Sequence, residues 1–108
     1  MSRRRRVLLD ENIPTDLRLY LPSVEAISAE YMGWKGVRNG DLVRRARAES
    51  FDVLVTADRP LARSSRAWAP MGCVHVTSTD RDRLLPAAER IDAACRAVSS
   101  GQMLTVKA

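Results

Sequence analysis

Histidine is almost missing from this chain: His75 is the only one in 108 residues. Cysteine occurs twice, at Cys73 and Cys95, without metal-ligand spacing. A structural zinc centre needs about four His or Cys ligands, and a disulfide scaffold needs a dense, paired set. Neither is available, so the two thiols are expected to be reduced and partly buried. Long apolar runs are also lacking. None approaches the roughly 20 residues that cross a bilayer, which excludes a membrane-spanning helix. Arg3 to Arg6 resemble the basic start of a signal peptide, but only Val7-Leu8-Leu9 follow before Asp10. A signal peptide needs an apolar stretch of about 7–15 residues, so a cytoplasmic protein is expected. Internal repeats are absent, and the arginine run is the only low-complexity stretch.

Lysine is scarce as well. Of 18 basic residues only Lys35 and Lys107 are lysines, so 16 are arginines, and the net charge is +5 with a pI near 10.0. Planar guanidiniums in excess suit a phosphate-rich partner such as nucleic acid. Arg-rich, Lys-poor usage also follows from a GC-rich coding sequence, with no selection for charge. The length is that of one domain, residues 1–108. Its first five residues read either as a disordered basic tail or as a phosphate-contacting arm.

Val7-Leu8-Leu9-Asp10-Glu11-Asn12 organises the rest. Three apolar residues with no polar alternation predict a short strand buried on both faces. Pro14 and Asp16 to Leu21 predict a helix with proline in its first turn. Asp10 and Glu11 therefore stand at the carboxyl end of a buried strand, the rim where open α/β sheets bind ligands. The pattern recurs in Asp52 to Thr56, Asp58 and Pro60, before a helix over about Leu61 to Trp68. Asp58 has a purely structural alternative as the N-cap of that helix.

Between them, Val24 to Ala29 predict a weaker strand. Trp34 beside Lys35 and Arg38 reads as a base-stacking aromatic or as a core residue. Asn39 suits an N-cap for a helix over about Gly40 to Glu49, with Leu42, Val43 and Ala46 as its buried stripe. Asp41 in the first turn has a structural reading too, complementing the helix dipole and pairing with Arg44 or Arg45. Cys73 to Thr77 predict a strand, with His75 as a sheet-surface residue. Leu84, Ala88, Ile91, Cys95 and Val98 mark a helix with Pro86 in its first turn, and Met103 to Lys107 an edge strand. Alternating strands and helices predict an α/β fold: a small three-layer sandwich on a mostly parallel sheet of four or five strands. The two most apolar strands should be neighbours, which brings Asp10 and Asp58 to one rim. A carboxylate cluster without His or Cys partners suits Mg²⁺ or Mn²⁺.

The frame VLLDENIP, then GVRNGDLVRRARAE, then FDVLVTADRPL resembles the small PIN-like family of bacterial and archaeal proteins. The likeness covers residues 6 to 62 well and the remainder only by topology. It implies a Mg²⁺- or Mn²⁺-dependent endoribonuclease, of the kind assigned as the toxin of a toxin–antitoxin pair. Asp10, Asp41 and Asp58 then occupy the acidic, metal-holding and catalytic positions. Glu11 and Asn12 complete the strand-end motif, and Thr56 is the hydroxyl before the last acid. Arg38, Arg44, Arg45 and Arg59 are the cations expected to meet RNA. A small antitoxin protein is the implied protein partner, and a homodimer stays open. The family continues Thr-x-Asp-x-Asp-Phe, whereas here Pro60 and Leu61 replace the second acid and the aromatic. Glu11 or Asp80 are the acids available to replace it, and a catalytically silent binding module is the alternative. A third reading is a receiver-like phosphoacceptor domain, from the order Asp10-Glu11, Asp58, Thr77, Lys107. It gives Asp41 no role.

Overall fold

Runs of apolar residues without alternation must be covered on both sides, and that requirement shapes this molecule. The computed structural model describes residues 3–108. Five strands form one sheet: β1 (Arg6–Leu9), β2 (Glu25–Ser28), β3 (Val53–Thr56), β4 (Gly72–Val76) and β5 (Met103–Val106). Their order is β2-β1-β3-β4-β5 and every pairing is parallel. β1 and β3 are neighbours, as their composition predicts, with Leu9 opposite Val55. β5 is an edge, as expected. The helices are α1 (Asn39–Ala48), α2 (Arg59–Arg63), α3 (Ser65–Trp68), α4 (Arg81–Leu84) and α5 (Ala88–Ala97), with 3-10 helices at Thr15–Tyr20 and Leu85–Ala87. None of the described helices is long and apolar enough to cross a membrane.

Successive strand residues point to opposite faces, and here both faces are dry. Val7, Leu9, Val53, Val55, Val74 and Val76 pack with Leu17, Leu84, Ile91 and Cys95 on one face. Leu8, Leu54 and Cys73 pack with Leu42, Val43, Ala46, Leu61 and Trp68 on the other. The result is the expected three-layer sandwich, with α1, α2 and α3 on one side and α5 with the first 3-10 helix on the other. Trp34 belongs to the core: it is buried and meets Phe51 edge-to-face at 6.1 Å between ring centroids.

Several local expectations are corrected. The segment after Pro14 is a 3-10 helix, and Pro14 precedes it. Arg38 takes the cap position of α1, and Asn39 is already inside the helix. The helix after Asp58 breaks at Ser64 into α2 and α3. Pro86 lies in a 3-10 turn that separates α4 from α5. The break at Pro86 falls where proline removes a backbone donor; Ser64 makes no side-chain cap bond, and hydrophobic spacing alone registers neither break.

The arginine run lies at the amino end of the sheet. Arg5 donates to the carbonyl oxygens of Cys95 and Val98 at the end of α5, the first at 3.2 Å. Arg6 donates to the Glu49 carbonyl at the end of α1, and its guanidinium lies 4.4 Å from the Phe51 ring centroid. Arg3 pairs with Asp52 at 3.3 Å. Terminal carbonyls of a helix have no partner within it and carry partial negative charge. Arg3, Arg5 and Arg6 are thus clamps on the fold. Met1 and Ser2, the rest of the expected tail, lie outside the described residues.

Two measurements check this packing. Arg5→Ala should lower unfolding stability by about 1.5–3 kcal/mol, the range for hydrogen bonds to charged groups. A free arm would lose nothing. Gly72→Ala places a Cβ 2.7 Å from Val98 Cγ1 and 3.1 Å from the Ser99 carbonyl oxygen. Chemical denaturation should show a loss of about 1–3 kcal/mol, as for other overpacked cores.

Candidate active site

At the carboxyl end of the sheet, the strand order reverses direction between β1 and β3. Crevices at such switch points are the ligand sites of doubly wound sheets. Asp10 follows β1 directly, and its backbone N–H bonds the Val55 carbonyl at 3.0 Å, which continues the ladder. Its side chain is only 7% exposed. Thr56 closes β3, fully buried, and donates its hydroxyl to Asp10 Oδ2 at 2.7 Å. The same hydroxyl oxygen accepts the Asp58 N–H at 3.0 Å. Thr56 thereby fixes both acid-bearing segments through one side chain.

Asp58 has two bonds of its own. Oδ1 accepts the Leu61 N–H at 3.0 Å, which makes it the N-cap of α2, its structural alternative. Oδ2 accepts from the Asn39 amide at 3.1 Å. Asn39 is therefore the residue that joins α1 to the acid pair, a role its local sequence disguises as a helix cap. Glu11 is exposed and accepts the Gly36 N–H at 2.8 Å. Asn12 is exposed in the turn that Ile13 N–H closes onto the Asp10 carbonyl at 2.9 Å.

Asp41 lies two residues beyond Asn39, exposed, and pairs with Arg44. The structure brings Asp10, Thr56, Asp58 and Asn39 together and leaves Asp41 turned to Arg44. Among the described residues no three of His, Cys, Asp and Glu stand close enough to hold one ion. Asp80 caps α4, accepting the Asp82 N–H at 2.9 Å. Of the arginines assigned to RNA, Arg38 at the cap of α1 and Arg45 on that helix are exposed, Arg44 is engaged with Asp41, and Arg59 opens α2.

Burial raises the Asp10 pKa above its ordinary 3.8, and Asp58 and Glu11 add repulsion. The Thr56 and Glu11 N–H bonds oppose this without cancelling it. No cationic side chain pairs with Asp10, Glu11 or Asp58 among the described ion pairs. In a chain with 16 arginines, that leaves a buried carboxylate with two acidic neighbours and no protein cation. Hard oxygen donors facing an unmet demand for positive charge fit a divalent cation of the Mg²⁺ type. The cysteines offer no alternative chemistry: both are buried, which pushes their pKa values to about 12.

A raised acid pKa means that the folded state keeps a proton the unfolded state has lost. Stability then falls as pH rises from 3.8 through the raised value, and the penalty is complete above it. Asp10→Asn should raise the melting temperature at neutral pH in metal-free buffer, with the gain vanishing below about pH 4. Each tenfold difference in proton affinity is ~1.4 kcal/mol, or about 6–11 °C for a domain of this size. A scan of melting temperature against pH for both proteins measures it.

Set against family models, curated proteins and solved structures, the chain matches none of them.

Proposed function

We propose that this protein is a divalent-cation-dependent ribonuclease that works at the Asp10–Thr56–Asp58 rim. One observation carries the reading: a buried carboxylate at the switch point of the sheet, hydrogen-bonded through Thr56 to a second acidic segment, with no cationic partner. The likeness of residues 6 to 62 to the PIN-like family supports the same reading. Asp10 and Asp58 would hold Mg²⁺ or Mn²⁺ through carboxylate oxygens. When bound, such an ion lowers the pKa of its water and neutralises a phosphodiester. Thr56 orients Asp10 by donation, and Asn39 holds Asp58 Oδ2 toward the rim. Asp41 would be the third ligand after release from Arg44. That exposed pair is worth at most ~1 kcal/mol, so its opening costs little. The arginine excess supplies phosphate affinity that weakens with salt. The setting this implies is cytoplasmic, with RNA as substrate and a small antitoxin as protein partner.

The receiver-like reading has an observation in its favour. The order β2-β1-β3-β4-β5 is also that of receiver domains, and Thr77 and Lys107 line one cleft. Asp58 is not among the residues lining that cleft. A phosphoacceptor works beside the Thr and Lys of its own site, so the nuclease reading is preferred.

Purified protein should cleave single-stranded RNA with Mn²⁺, and millimolar Mn²⁺ should raise its melting temperature by mass action. Asp10→Asn should lose both responses. Asp41→Asn separates the roles: as a ligand it should abolish cleavage with the fold intact, and as a dipole residue it should cost only about 0.3–1 kcal/mol. Wild type that neither cleaves nor shifts with Mn²⁺ would leave a binding module. Labelling of Asp58 by acetyl phosphate, insensitive to Asp41→Asn, would favour the receiver.

A further inference from the structure

The carboxyl rim carries a second polar feature one strand away from the acid pair. His75 on β4 lies opposite Thr56 on β3, in register. Adjacent strands are roughly 4.8 Å apart, so the two sites share one edge of the sheet. A cleft of about 200 Å³ opens there, lined by Arg59 and Arg63 of α2, His75, and Thr77, Thr105 and Lys107 after and along β4 and β5. It has no carboxylate in its lining. Arg59, Arg63 and Lys107 are exposed, and none of them joins an ion pair among the described residues. His75 is buried at 8% exposure. Burial and the charges of Arg59 and Arg63 lower its pKa, a sign that the potential in the cleft is positive.

Three unpaired cations around one hollow repel one another, and a bound anion removes that cost. Pockets for drug-sized ligands run roughly 300–1,000 Å³, so this one suits a single phosphate group. The Thr77 hydroxyl, whose oxygen accepts the Ala108 N–H, keeps its own O–H as a neutral donor for the phosphate oxygens.

We propose that the cleft between α2 and the β4–β5 edge is a phosphate subsite, which holds a backbone phosphodiester of the RNA strand beside the acid pair. The proposal rests on the nuclease reading for the identity of the strand. The site itself is built by residues outside that pair. An RNA crossing the rim from β1 toward β5 meets the acids over β1 and β3 first and the cations over β4 and β5 next. Carboxylates over one strand pair and cations over the next would fix the strand's register: one phosphate anchored, its neighbour presented to Asp10 and Asp58.

The test uses the intact chain with Arg63→Gln/Lys107→Gln, and Lys107→Glu as a second variant. Both positions are exposed, and melting curves check the fold. Binding of a fluorescent oligouridylate is measured against salt in metal-free buffer, with inorganic phosphate as competitor. The double variant should bind at least about tenfold more weakly, and the slope of log affinity against log salt should fall by about 0.7 for each lost phosphate contact on a single strand. Lys107→Glu, which reverses a charge, should weaken binding as well. The Mn²⁺ melting shift should survive in both variants. Unchanged affinity and slope would overturn the subsite even if RNA is cleaved. Inorganic phosphate that competes as well as the oligonucleotide, per phosphate, would overturn the RNA assignment. Loss of RNA binding in the variants, in a wild type with no Mn²⁺ response, would uphold the subsite and sink the metal reading.

Discussion

A parallel sheet dry on both faces leaves a polar side chain nowhere to stand except the strand ends. In this protein that constraint arranges almost everything else. β3 and β4 are buried along their length and β1 from Val7 to Leu9, so the chain's chemistry is exported to two rims. Right-handed crossovers then give the rims opposite character. Helix C-termini, with their unpaired carbonyls, collect at the amino rim, and helix N-termini collect at the carboxyl rim. Arg5 and Arg6 answer the first. Asp58 and Asp80 answer the second as caps.

The sequence carried the sheet more fully than the site. Val7 to Leu9 and Val53 to Thr56 are continuous apolar runs, and such runs can be satisfied only inside a sheet covered twice. Their adjacency followed, and with it the meeting of Asp10 and Asp58. β2 was weaker because Glu25 and Ser28 interrupt the pattern at an edge. The hydrogen bond from Thr56 to Asp10 spans 46 positions. It depends on a register that no local spacing encodes, and only the family resemblance singled out Thr56.

Asn39 and the arginines show why the remainder was hidden. Asn39 has the local preference of an N-cap, yet the backbone enters α1 one residue earlier, and the freed amide reaches Asp58. Local propensity lost to a tertiary partner. Arg5 and Arg6 stand in a run that reads as a tail because their partners at Cys95, Val98 and Glu49 lie more than 40 residues away. The sequence left them open between a disordered tail and a phosphate-contacting arm, whereas the helix carbonyls claim them. The cations left for a phosphate strand are those without such partners, Arg59, Arg63 and Lys107 among them.

Helix dipoles account for most acids at the carboxyl rim, which makes Asp10 the residue that discriminates. Asp58 and Asp80 each accept an N–H from a helix start, and Asp41 has Arg44; each would be kept by a protein with no activity. Asp10 caps no helix. It accepts from its neighbour's N–H and from Thr56, and it raises its own pKa by its burial. Each of its two oxygens takes one donor, the Glu11 N–H on Oδ1 and the Thr56 hydroxyl on Oδ2, so an amide there would remove the electrostatic cost and lose one of the two acceptors. That cost is the one a bound cation, as proposed above, would remove.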